Sequence, residues 1–246
     1  MDRLIYTAMS GANAAAHRQA VLSNNLANAS TNGFRAELST YRAVPLRGDG
    51  ASTRVFALEA TSGHLDTPGP AQRTGRNLDA MATGNAWFAV QALDGTEAYT
   101  RNGSLEIAAD GSLQTSTGLA ILSDGGAPIT VPARAELAIG GDGTLSATVA
   151  GQRPTVIGRL KMVSPDAENP IQRGDDGLFR GAGGNALPSN PLARLQSGVL
   201  EGSNVNPIET MVGMIQTARQ FEQQMRLMQT AESNDRSAGQ LLNLQG

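Results

Sequence analysis

The spacing of apolar residues changes twice along this chain, from a period near 3.6 to one of 2 and back, and that change most restricts the folds open to it. From Arg3 to about Ala27, the residues Ile5, Ala8, Ala12, Ala15, Leu22 and Leu26 recur at three and four positions, with Gln19 in the missing step. This predicts an amphipathic helix with a narrow stripe made largely of alanine. A partner helix can approach such a stripe closely, but each contact buries little area, so the helix alone is marginal.

At the other end, "NPIETMVGMIQTARQFEQQMRLMQ" carries the signals of a helix start: Asn206 as N-cap, Pro207 in the first helical position and Glu209 placed to close a capping box. Met214, Ala218, Phe221, Met225 and Met228 then follow at spacings of four, three, four and three, a heptad seam that Ile208, Met211 and Ile215 widen at its start. A helix from Pro207 to about Ala231 runs roughly 37 Å at about 1.5 Å per residue. The two terminal helices are expected to pair with each other as a coiled coil, or with the same segments of neighbouring copies. No further helix is legible to complete a bundle.

Between them, short β-favouring runs alternate with turn dipeptides at Asp94-Gly95, Asn102-Gly103 and Asp110-Gly111, then Asp124-Gly125-Gly126. The spacing is that of an antiparallel meander of eight to ten strands, from Met81 to Arg180, opened by Trp87 and Phe88 as core anchors. Asn102-Gly103, between "AYTR" and "SLEI", is the strongest hairpin signal. Tyr41–Asn77 and "GAGGNALPSN" (Gly181–Asn190) read as connectors, and "GFRAEL" and "LARLQSGVLEG" as extended segments running beside each other. The expected fold class is therefore α+β: long terminal helices, a central all-β domain and an extended connecting ribbon. The boundaries are 1–35 and 201–246 for the helical segments, 36–80 and 181–200 for the connectors, and 81–180 for the β-domain.

Composition narrows the function. Aromatic residues make up 4% against 29 glycines, which does not suit a compact enzyme core rich in large side chains. The formal charge is −3 with no basic run, so the phosphate-neutralising patch of a nucleic-acid binder is missing. The absence of cysteine excludes disulfides, thiolate catalysis and thiolate metal ligation. Neither a secretory signal nor a stretch of about 18 apolar residues is legible. Neither membrane insertion nor a cofactor is expected, and any export leaves the N-terminus intact.

Residues that suggest chemistry have plainer readings. His17 and His64 lie in different elements without a ligand partner at metal spacing. Asp175-Asp176 in "QRGDDGLFR" is turn chemistry, since adjacent side chains point apart. "GAGG" lacks the strand, helix and lysine of a phosphate loop. Met211, Met214, Met225 and Met228 are flexible and polarisable, suited to irregular subunit contacts. Charge leans the same way: residues 1–35 carry three arginines against one acid, while residues 201–246 carry five acids against three arginines.

"SNNLANASTNGF" resembles the N-terminal signature of the axial proteins of the bacterial flagellum, the rod and hook components. "EGSNVNPIETMVGMIQTARQFEQQM" is similar to their C-terminal signature, and "AYTRNGSLEIAADGSL" to the first hairpins of their β-domain. Within that family, "MDRLIYTAMSGA", "RAVP", "QRGDDGLFR" and "ARQFEQQM" look like proximal-rod members. Distal-rod members typically have Ala-Asn-Asn and Thr-Ser-Asn-Val where this chain has Ser23-Asn24-Asn25 and Gly202-Ser203-Asn204-Val205.

The resemblance implies export through the flagellar type III apparatus without signal cleavage and helical stacking in the rod that crosses the periplasm. It also implies terminal helices that form an inner coiled-coil tube, with the β-domain outside. The partners implied are copies of the chain, other rod proteins and the export apparatus. The expected subunit-interface residues are Ile5, Ala12, Leu22, Asn24, Asn25, Leu26, Asn28 and Phe34, together with Asn204, Val205, Asn206 and the seam from Met211 to Met228. Asn24, Asn25 and Asn28 are expected to donate and accept across the subunit junction and to free backbone groups at the helix end, and Asn32-Gly33 to turn the chain outward. The competing readings are a distal-rod or hook-type relative and, from another class, a β-rich glycan-binding or peptidoglycan-acting protein.

Overall fold

A computed structural model describes residues 2–45 and 55–243; residues 46–54 of the first connector lie outside it. In chain order the elements are α1 (Asp2–Ala27), β1 (Glu37–Pro45), β2 (Val55–His64), β3 (Ala71–Arg73), β4 (Ala80–Ala82), β5 (Trp87–Gln91), β6 (Glu97–Thr100), β7 (Leu105–Ile107) and β8 (Leu113–Thr115). They continue with β9 (Ala135–Ile139), β10 (Thr144–Val149), β11 (Thr155–Arg159), β12 (Met162–Val163), β13 (Ile171–Arg173), β14 (Phe179–Gly181), β15 (Leu195–Ser197), β16 (Val199–Glu201) and α2 (Pro207–Asn243). The chain divides into two compact units. One comprises Met1–Ala29, Ala36–Leu65 and Val205–Gly246; the other comprises Ser30–Arg35 and Asp66–Asn204.

In the first unit α1 packs against α2. A Cβ on Gly213 would lie 3.4 Å from Leu22 Cδ1, and one on Gly11 would lie 3.0 Å from Gln224 Cδ. These two meeting points advance in opposite directions along the helices, so the pair is antiparallel. Asn206 caps α2 as expected: its Oδ1 accepts from the N–H of Ile208 (3.1 Å) and of Glu209 (3.3 Å). The helix runs on to Asn243 rather than ending near Ala231, because no proline stops it and Glu232 pairs with Arg236 one turn on.

The first connector holds a long hairpin rather than unpaired chain. β1 pairs antiparallel with β2 from Glu37↔His64 to Pro45↔Val55, with a bulge between Thr40 and Tyr41. This corrects the ribbon expected between "GFRAEL" and "LARLQSGVLEG". Strands β15 and β16 take β4 and β3 as partners instead, and Gly198 at φ +73° turns one into the other. The two segments still touch where Gly33 N–H donates to Glu201 O at 2.8 Å.

The second unit distributes its strands among small sheets, not along one meander. The largest sheet has the order β12-β5-β6-β14-β13, beside a three-stranded β11-β10-β9 and the hairpin β7-β8. Strands cut to two to six residues by the frequent turns can form only short ladders. Asp94-Gly95 and Asp110-Gly111 are hairpin turns as expected, with Gly95 at φ +81° and Gly111 at φ +85°. Asn102-Gly103 is not. Both sides of β6 are taken by β5 and β14, so the chain must leave the sheet before β7. Asn102 Oδ1 accepts from Ser104 N–H (3.1 Å), and Gly103 is required because a Cβ there would lie 1.7 Å from Ala80 O. Strand β5 is buried on both faces. Phe88 and Val90 join one apolar cluster with Leu105, Leu113 and Leu145, while Trp87 and Ala89 join another with Tyr99, Leu122 and Phe179.

A buried ion cluster closes this unit. Glu201 Oε1 lies 2.8 Å from Arg35 Nη2, and its Oε2 lies 2.9 Å from Arg101 Nε, with all three side chains at most 2% exposed. Gly69 N–H donates to Glu201 Oε1 at 3.1 Å. Arg35 also donates to Thr67 O, and Arg101 to Ala86 O and Gly84 O. Both guanidiniums sit over the Trp87 ring, at 5.9 and 5.6 Å from its centroid. Burial pulls both arginine pKa values down, and the Glu201 carboxylate opposes that pull.

Two outcomes follow from these contacts. Glu201→Ala leaves two buried guanidiniums without their counter-charge and is expected to cost about 3–5 kcal/mol. Urea unfolding followed by emission of Trp87, the single tryptophan, measures this, and a loss below about 1 kcal/mol would show that the cluster does not hold the unit. At the β13–β14 turn, Asp176 Oδ1 accepts from Leu178 N–H and its Oδ2 lies 2.7 Å from Arg180 Nη2. The bond from Arg180, joined by that turn N–H, holds its carboxyl below the usual range. A folded pKa below the unfolded one adds stability above the unfolded value, which is lost as pH falls through the folded value. Asp176→Asn is therefore expected to cost less than about 1 kcal/mol at pH 7, since the pair is half exposed, and progressively less below about pH 4. Equal losses at pH 7 and pH 2 would refute that linkage.

Candidate assembly surface

Alanine and glycine let the helices of the first unit come close. α1 buries Ala8, Ala12 and Ala15. The face of α2 that meets it carries Thr210, Gly213, Met214, Thr217, Gln224, Met228 and Ala231, of which Thr210, Thr217 and Ala231 are buried and the rest partly buried. Threonine is tolerated in this seam because its hydroxyl is satisfied by its own helix. Thr210 Oγ1 donates to Asn206 O and Thr217 Oγ1 to Gly213 O, both at 2.8 Å.

The expected seam is therefore split. Met214 and Met228 face α1, whereas Met211, Ile215, Ala218, Phe221 and Met225 are exposed, with Ile208 at 76% and Ile215 at 56%. Thr210, Thr217, Gln224 and Ala231 stand seven residues apart, a heptad legible in the sequence but hidden from a search for apolar periodicity by its polar members. On α1, Ala12 is buried and Ile5, Leu22 and Leu26 are partly buried.

The asparagines at the end of α1 bond to backbone and side chains within the unit. Asn25 is 6% exposed. Its Nδ2 donates to Glu37 O (2.9 Å) while its Oδ1 accepts from Glu37 N–H (2.8 Å), so the amide pairs with the start of β1 as another strand would. Asn24 Nδ2 donates to Glu37 Oε2 (3.0 Å), and Asn28 Nδ2 donates to Asn24 O and Oδ1 (2.9 Å each). Within the chain the amide of Asn25 is thus engaged through both its oxygen and its nitrogen. Gly33 does take the positive φ expected of it, +71°. In the second unit, Phe34 lies under the Arg173 guanidinium at 4.7 Å, and Asn204 Nδ2 donates to Thr67 O (2.9 Å). Val205 is buried and Asn206 exposed.

The β1–β2 hairpin lies against the other side of α1. Ser10 Oγ accepts from Ala57 N–H and donates to Ala57 O, both at 3.1 Å. Beside that contact is an open groove of about 400 Å³, lined by Tyr6, Met9, Asn13 and His17 of α1 and by Tyr41 and Phe56 of the hairpin. The hairpin's share of this surface was not legible in the sequence, where the segment reads as connector.

Lys161, Glu97 and Tyr99 form a partly buried group in the second unit. Lys161 Nζ lies 2.8 Å from both oxygens of Glu97. Tyr99 OH donates to Glu97 Oε1 (2.9 Å) and accepts from Leu187 N–H (2.6 Å), and burial pushes the Tyr99 phenol up. Among the described residues no group of three or more His, Asp or Glu is arranged to hold a metal ion, and no helix is long and apolar enough to cross a membrane.

Comparison with known proteins accounts for both ends and the centre of the chain. The family model described as flagella basal body rod protein matches residues 5–35. The flagellar hook protein FlgE/F/G D1 domain matches residues 81–147, and the flagellar basal body rod FlgEFG protein C-terminal model matches residues 196–241. The flagellar basal-body rod protein FlgF of Salmonella typhimurium is 45% identical over 253 residues, covering 99% of this chain and 100% of that protein. Its counterpart in Escherichia coli is 44% identical with the same coverage. A basal-body rod protein FlgG of Buchnera aphidicola is 30% identical, covering 90% of this chain and 92% of its own length. With full-length identity of this kind, the chain belongs to the FlgF family of flagellar basal-body rod proteins.

Proposed function

We propose that the chain is a structural subunit of the proximal rod that assembles helically through its terminal helices. In this reading the helices of successive subunits form a coiled-coil tube that serves as drive shaft and export channel and carries torque from motor to hook. The observation that carries it is the apolar face of α2 that α1 does not cover: Ile208, Met211, Ile215, Ala218 and Met225. A rod of the periplasm gives that face its cover in other copies and in other rod proteins. Export by the flagellar type III apparatus without signal cleavage belongs to the same reading. No catalytic step is assigned to it. In the Asp175-Asp176 turn, Asp176 is engaged with Leu178 and Arg180.

Met225→Asp tests this reading. The side chain is exposed in the isolated chain, so the substitution is expected to change its stability by no more than about 0.5 kcal/mol. In the assembly it buries an unpaired carboxylate, at a cost of several kcal/mol. Purified protein should keep its far-UV circular dichroism and urea midpoint while disappearing from isolated basal bodies, with loss of motility. Normal incorporation of a folded Met225→Asp chain would remove α2 from the assembly surface.

A further inference from the structure

In the second unit, the connector between β14 and β15 is held down at a single residue. Of residues 183–188, all but Leu187 are exposed. The Leu187 side chain completes the cluster of Trp87, Tyr99, Leu122, Val163 and Phe179. It also lies back over Gly181, where a Cβ would come within 2.9 Å of Leu187 Cδ1. Its N–H donates to Tyr99 OH at 2.6 Å, so a side-chain oxygen stands where a neighbouring strand would supply a carbonyl. That oxygen is aimed by a second bond. Tyr99 donates its own proton to Glu97 Oε1, and Lys161 Nζ holds both oxygens of that carboxylate, which leaves a phenol lone pair for Leu187. The two ends of the segment are pinned separately. Ala182 N–H donates to Pro170 O (2.9 Å) and Asn190 N–H to Met162 O (2.7 Å), while Ser189 Oγ donates to Asp124 Oδ1 (2.6 Å).

We infer that residues 183–188 form a hinged strap that opens as a unit while the rest of the β-rich unit stays closed, with the Tyr99 hydroxyl as its latch. Opening withdraws one leucine from the apolar cluster and breaks the bond to Tyr99. Unfolding of the whole unit must also break its sheets and the buried cluster of Arg35, Arg101 and Glu201. Local opening follows the smaller set of contacts, and because both ends of the strap stay pinned, it needs no strand to leave its sheet. Gly183 and Gly184, the latter at φ +73°, supply the joint at one end. With the strap away, the Tyr99 phenol and the Glu97–Lys161 pair lose their cover, and the cluster around Phe179 opens on the side that Leu187 closes.

Hydrogen exchange of the full chain, followed amide by amide by NMR at urea concentrations below the unfolding transition, tests the strap. The Leu187 amide is expected to exchange about a hundredfold faster than those of Trp87–Gln91 and with little dependence on urea, while β5 follows the global transition. Tyr99→Phe removes the latch and is expected to speed exchange at residue 187 by about a further tenfold relative to β5. Leu187→Ala keeps the bond to Tyr99 but gives up the apolar anchor. It serves if Tyr99→Phe does not fold, and is expected to speed exchange at residue 187 by about tenfold without raising its urea dependence. Exchange of Leu187 at the rate and urea dependence of β5 in the unsubstituted chain overturns the strap as a separate opening unit. A folded Tyr99→Phe chain whose exchange at residue 187 is unchanged relative to β5 overturns the latch.

Discussion

The β-rich unit depends on one carboxylate. Glu201 lies near the end of its last strand, Arg35 in the segment that enters it and Arg101 after β6, so three distant stretches of chain meet at one buried charge. Such a cluster is costly to desolvate and does not by itself argue for stability. Its effect is to specify: Arg35 and Arg101 can each reach Glu201 only if Gly33 lets the entering chain lie on the Arg101–Asn102 peptide, where a Cβ would come within 2.3 Å of Arg101 C. The tryptophan face above the guanidiniums and the backbone carbonyls of Thr67, Gly84 and Ala86 satisfy what the carboxylate leaves over. A segment contiguous in sequence with a helix is thereby made part of a β-domain.

The helical unit solves a different problem with different means. Helix α2 packs on α1 and still presents an apolar face: its contact with α1 is made largely by small or self-satisfied residues together with Met214 and Met228, while Ile208, Met211, Ile215 and Met225 are placed elsewhere. Thr210 and Thr217 bond to their own helix and Gly213 lets Leu22 approach. Asn25 uses an amide to hold β1 along α1, a job that an apolar residue could not do for the exposed backbone of Glu37.

Features written in local chemistry were legible in the sequence. The cap at Asn206, the turns at Gly95 and Gly111, the positive φ at Gly33, the terminal helices and the flagellar signatures each rest on residues a few positions apart. Features that depend on competition between distant segments were not. Asn102-Gly103 has the composition of a hairpin turn, but β14 already occupies the edge of β6 that the hairpin would need. β1 and β2 hide in a stretch of Gly, Thr and Arg because a hairpin against one helix face needs few large apolar residues. Of the expected seam of α2 only Met214 and Met228 face α1, since periodicity counts methionine and ignores threonine.

The same economy bears on how such a subunit can be stable yet still assemble. An alanine side chain withdrawn from water contributes about 0.8 kcal/mol, so the three buried alanines of α1 contribute little more than about 2 kcal/mol through their methyl groups. That is too small to fix two helices of 26 and 37 residues against their backbone entropy without the hairpin and the caps. The large apolar side chains that would make the pair independent are the ones left facing out. Moving them inward would stabilise the single chain and remove the surface through which it can be covered by others. In the proposed assembly, the placement of Thr217 inside and Ile215 outside would tie the stability of the helical unit to its neighbours.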